Sequence, residues 1–86
     1  MKVIDNDNWK KRGELIRAAR ISKGLLQKDV AEMLGVKANT IAGYEAGARK
    51  IDIDTAVKLC LYLDIDLASF CGINRKFKFI KLNNEN

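Results

Sequence analysis

The chain has 86 residues, 48% of them apolar and 31% charged, with a net charge of +5 and no histidine. That length gives room for one domain with a modest core, and apolar residues set in short periodic groups favour a folded domain over disorder. Two cysteines, Cys60 and Cys71, are too few for a disulfide framework, and without histidine both a structural zinc site and the commonest acid–base group are missing. We expect reduced thiols, no metal, no cofactor and no enzyme. No apolar run approaches the ~18 residues of a membrane span. The opening MKVIDNDNWKKR lacks the apolar segment of a signal peptide, so the expected location is the cytoplasm.

Residues 1–8 are rich in Asn and Asp and are expected to form a flexible lead ending in a helix N-cap at Asp7 or Asn8, with Trp9 as a staple onto the domain. A first helix is expected from Trp9 or Gly13 to Lys23, with Leu15, Ile16 and Ala19 as its apolar stripe and Gly24 as its stop. The stretch Gln27 to Glu45, QKDVAEMLGVKANTIAGYE, then reads as two short helices joined by a tight turn. Val30, Ala31 and Leu34 form one stripe at helical spacing, and Ile41 and Tyr44 form the other. Gly35, just past Leu34, suits the positive φ at which helices commonly end. Asn39, Thr40, Ala42 and Gly43 lie off the second stripe and give that helix a small polar outer face. Leu26 and Lys37 occupy the two capping positions, each at a cost of about 1 kcal/mol against a good cap.

Beyond Gly47, a further helix stop, Asp52 or Asp54 can cap a fourth helix in which Ala56, Leu59, Cys60 and Leu63 recur at i, i+3, i+4 and i+7. Asp66 suits the N-cap of a short fifth helix, Leu67 to Phe70, with Ile65 and Phe70 closing the core. In the tail, Phe77, Phe79, Ile80 and Leu82 interleave with Arg75, Lys76, Lys78 and Lys81, a partial alternation that suggests a strand while leaving a short helix open. Three roles stay open for it: packing on its own domain, pairing subunits, or acting as a basic arm. The expected organisation is all-α, with a lead over 1–8, a five-helix domain over 9–71 and an extension over 72–86 that forms a short strand in one reading.

Charge is segregated along the chain. Met1 to Gly24 carries seven basic and three acidic residues, and Gly72 to Asn86 four and one, whereas Ile51 to Cys71 carries four Asp against Lys58. Such a balance fits a polyanion-binding surface turned away from the acidic segment.

The run Gln27, Ala31, Gly35, Ile41, Glu45 and Gly47 resembles the helix-turn-helix of the Cro and phage-repressor (Xre) family of DNA-binding proteins. The likeness extends upstream through Gly13-Glu14, Ile16-Arg17, Arg20 and Lys23-Gly24-Leu25, and downstream through Leu59, Leu63, Ile65, Leu67 and Phe70. It implies a compact repressor-like domain whose third helix, expected over 37–46, enters the major groove. The base-contacting residues it implies are Lys37, Ala38, Asn39, Thr40 and Gly43. Asn39 suits adenine, Ala38 a thymine methyl, and Lys37 a guanine or a phosphate. Gly43 stands where the family usually carries a longer polar side chain; it reads no base by side chain, and either permits close approach to DNA or has no role.

Gln27, Thr40, Arg49 and Lys50 are the implied phosphate contacts, while Arg12, Arg17 and Lys28 are expected to be solvated. Arg20 and Glu45 match a structural ion pair of the family. The implied function is sequence-specific regulation of transcription, as a repressor, by a homodimer on a near-palindromic operator in double-stranded DNA at the nucleoid. The alternative is an antitoxin or partner-binding regulator that uses the same fold for protein contacts, and control by a partner protein stays open.

Overall fold

The computed structural model describes the backbone of residues 3–72 and the side chains of 9–72. The expected strand in the tail lies outside the described residues. Among the described residues five helices follow one another: α1 (Val3–Ser22), α2 (Gln27–Leu34), α3 (Ala38–Ala46), α4 (Ile53–Leu63) and α5 (Leu67–Cys71). The all-α, five-helix architecture expected from the sequence is the one observed.

The core is assembled from one stripe of each helix. Ile16 of α1, Val30 of α2, Ile41 of α3 and Leu59 of α4 are fully buried, and Ala31, Tyr44, Ala56, Cys60, Leu63 and Phe70 join them. Each short helix is marginal by itself, so burial of these stripes, rather than propensity, holds the helices in place. Burial also pushes the Cys60 thiol above its ordinary pKa, which keeps it protonated and inert.

Helix α1 departs from expectation in three respects. It begins at Val3, so Asp7 and Asn8 lie within the helix instead of capping it. No Pro or Gly interrupts the first twelve residues, and a nucleated helix extends one hydrogen bond at a time until something stops it. Gly13 likewise sits inside α1 and is buried; a Cβ there would run into the carbonyl oxygens of Tyr44 and Glu45, so its absence lets α1 lie directly on the end of α3. Leu15, expected in the apolar stripe, is 38% exposed. The inner face runs through Trp9, Arg12, Gly13, Ile16, Ala19 and Arg20, a three-and-four spacing that leaves Leu15 to one side.

Arg12, expected to be solvated, is also engaged. Its Nε donates to the carbonyl of Phe70 at 2.9 Å, its guanidinium carbon stands 4.5 Å from the centre of the Trp9 ring, and a longer contact of 3.4 Å reaches the carbonyl of Cys71. The last carbonyls of α5 lack helical partners, and Arg12 supplies one. Asp52 is the N-cap of α4, with its carboxyl held below the usual range chiefly by the Thr55 hydroxyl. Asp66 caps α5 by accepting from both the backbone N–H and the hydroxyl of Ser69, at 2.9 and 2.8 Å.

Candidate nucleic-acid interface

Helices α2 and α3 are joined by Gly35, Val36 and Lys37 alone. Gly35 adopts φ 73°, ψ 32°, and the N–H of Val36 reaches back to the carbonyl of Ala31 at 2.9 Å. This left-handed cap satisfies two terminal carbonyls of α2 and turns the chain sharply within three residues. Val36 then packs against the core, while Ile41 and Tyr44 bury the inner side of α3. Burying those two stripes turns the opposite side of α3 outward. Lys37, Ala38 and Asn39 are exposed, and Thr40 and Gly43 are half-buried. The side chains of Lys37, Asn39, Thr40 and Lys50 hold no hydrogen bond among the described residues. Lys37 is the N-cap and the helix itself starts at Ala38, one residue later than expected.

Against the end of α3 lies a largely buried polar cluster. Arg20 Nε donates to Glu45 Oε2 at 2.6 Å and its Nη2 to Oε1 at 3.0 Å, a two-pronged pair whose side chains are 11% and 4% exposed. The third arm, Nη1, donates to the carbonyl of Leu25 at 2.9 Å. Hydrogen bonding to Glu45 holds the guanidinium above its ordinary pKa, against the desolvation that would lower it. Gln27 completes the cluster, its Nε2 donating to Glu45 Oε1 at 3.1 Å. One charge pair thus joins the C-terminal end of α1, the start of α2 and the end of α3, and so fixes how α3 is presented. No buried side-chain polar atom among the described residues lacks a partner.

Comparison with known proteins places this geometry. A family model described as Helix-turn-helix matches residues 16–70, well over half of the chain. The chain belongs to the Cro/phage-repressor (Xre) helix-turn-helix family. Among solved structures, the domain is similar to the restriction-modification controller protein C.AhdI from Aeromonas hydrophila, at 29% identity and a TM-score of 0.68, covering 76% of this chain and 94% of that one. No curated protein matches. The family and this neighbour make the chain a DNA-binding transcription regulator.

In this helix-turn-helix protein the start of α2 is arranged differently from what sequence suggested. Leu26 has no side-chain oxygen with which to cap, yet its own N–H donates to Asp29 Oδ2 at 2.8 Å, which is the returning half of a capping box. Asp29 is a residue that the sequence reading missed, and only the second half of the capping signal, an acidic residue three positions after the cap, is present to mark it. Gln27 spends one amide hydrogen on Glu45 and keeps a second. Arg49 and Lys50 follow the left-handed cap Gly47 and are both exposed. Among the described residues no cluster of His, Cys, Asp or Glu could hold a metal ion, and no helix is long and apolar enough to cross a membrane.

Proposed function

We propose that this protein is a sequence-specific repressor that binds a near-palindromic operator as a homodimer, with α3 lying in the major groove. The observation that carries this reading is the uncommitted outer face of α3, where Lys37, Ala38 and Asn39 project into solvent at the N-terminal end of a rigidly held helix. A helix placed in that groove by a helix-turn-helix presents its first residues to base edges while the preceding helix crosses the backbone. Asn39 can accept from and donate to adenine, Ala38 can meet a thymine methyl, and Lys37 can reach a guanine. Gln27, through its second amide hydrogen, and Thr40 and Lys50 serve as phosphate contacts, which fix register without reading sequence. The likeness to a controller of a restriction-modification system supports control of a small operon.

Selection of bound sites from a random duplex pool tests the proposal. The expected product is a symmetric sequence with half-sites centred about 34 Å apart. On that operator, Asn39→Ala removes discrimination at one base pair per half-site, a change of about 1–3 kcal/mol, and leaves non-specific binding intact. Weak binding of every sequence alike by the unaltered protein would sink the proposal in favour of a partner-binding role.

A further inference from the structure

The outer face of α3 has a gap at Gly43, and a side chain from outside the helix crosses it. The position that a Cβ on Gly43 would take lies 3.0 Å from Cδ, 3.4 Å from Cγ and 3.5 Å from Cβ of Arg49. The stem of Arg49 therefore runs along the helix surface where a side chain at 43 would otherwise stand. Backbone bonds fix this arrangement, because the carbonyl of Gly43 accepts from the N–H of Ala48 at 3.0 Å and from that of Arg49 at 3.3 Å. Arg49 is thus anchored to α3 itself and does not hang from a free loop.

Two further facts set Arg49 apart. Gly43 follows Asn39 by four residues, so both share the face of α3 that the proposed function turns toward DNA. Arg12 and Arg20 are consumed by internal partners; Arg17 and Arg49 are exposed with none among the described residues, and of these Arg49 is the one whose stem lies against Gly43. A phosphate contact would require only a positive charge near the groove rim and would tolerate any residue at 43. A stem laid flat across a glycine has a different consequence: it carries a planar guanidinium along the groove-facing surface.

We propose that Arg49, expected from sequence as a phosphate contact, is a specificity-determining residue that reads a guanine in the major groove from the place left open by Gly43. The guanidinium donates two parallel hydrogen bonds to O6 and N7 of the guanine, a fit that the point charge of lysine does not reproduce. This rests on the DNA-binding function proposed above. It also gives Gly43 a role, since a methyl there displaces the flexible stem while Ala suits a helix interior better than Gly.

The test measures binding of the unaltered protein and of Arg49→Lys, Arg49→Ala and Gly43→Ala to the selected operator and to variants with each base pair changed in turn, at one salt concentration. Thermal melting of Gly43→Ala at or above that of the unaltered protein shows that its fold is intact. Both Arg49 variants are expected to bind the operator roughly tenfold or more weaker and to lose their preference at a single G·C pair per half-site. Gly43→Ala is expected to lose preference at that same pair with Arg49 still present. The proposal is overturned if Arg49→Ala weakens every sequence by one common factor and Arg49→Lys restores it, which marks a phosphate contact, or if Gly43→Ala keeps its preference at every position. Failure of the unaltered protein to prefer any duplex would instead refute the proposed function, and this inference with it.

Discussion

At the scale of single residues, the buried pair Arg20–Glu45 carries the largest energetic consequence. Two charges removed from water gain little net stability from each other, but deleting one leaves the other buried and unpaired. With Glu45 only 4% exposed in its side chain, solvent cannot take over the role of Arg20. Arg20→Met and Glu45→Ala should each cost about 3–5 kcal/mol, a large part of the total stability of a small domain. The double substitution should cost clearly less than the sum of the two. Urea denaturation monitored by circular dichroism gives these values, and single costs under about 1 kcal/mol would mean that the pair behaves as an exposed one. Lys23–Asp64 is the built-in contrast: it is closed at 2.8 Å, but its side chains are 36% and 77% exposed, so its contribution should be small.

The elements of the motif differ in how well their ends are tied. Asp66 gives α5 a complete side-chain cap, whereas α2 has only the half supplied by Asp29, and α3 has Lys37 as its N-cap with no side-chain hydrogen bond. Leu26 is 58% exposed, so replacing it sacrifices little apolar burial. Leu26→Ser should add the missing oxygen opposite the Asp29 contact and raise stability by about 1 kcal/mol, or roughly 4–8 °C in melting temperature for a domain of this size. A melting curve unchanged from the parent would show that the end of α2 is already satisfied by packing. The weak caps at Leu26 and Lys37 were legible in the sequence because capping is a rule about residue type at a position. The compensation by Asp29 is also local, three residues on from Leu26. The start of α1 was misplaced for a different reason: Asn and Asp are good caps, but they also occur inside helices that simply continue past them.

For the whole molecule, the consequence of the fold is that one α3 presents only a few side chains to base edges. Two copies related by a twofold axis double that number and impose symmetry on the DNA. Sedimentation of the protein with its selected operator should therefore show two chains per duplex, and full-affinity binding by a single chain would contradict the homodimer. Binding should also weaken steeply with salt, because each neutralised phosphate releases counterions. Lys50→Ala is expected to reduce that salt slope by about one unit and to weaken all sequences alike.

Local rules carried much of this protein. Periodic stripes located α2, α3 and α4 and the body of α1, Asp66 as a cap located α5, Gly35 marked the turn, and the spacing from Gln27 to Gly47 pointed to the helix-turn-helix family that the comparison establishes. These features depend on residue type and on separations of a few positions, which is the range over which backbone hydrogen bonds and helical faces are set. What only the tertiary structure decided involves partners far apart in the chain. Arg12 reaches the end of α5 across 58 positions, and Gln27 joins a charge pair whose members are 25 apart. Gly13 admits the end of α3, and Arg49 crosses the gap at Gly43 because a left-handed cap turns the chain back there. Such contacts exist only once the helices have packed, since burial of their stripes fixes the distances at which polar groups must find one another.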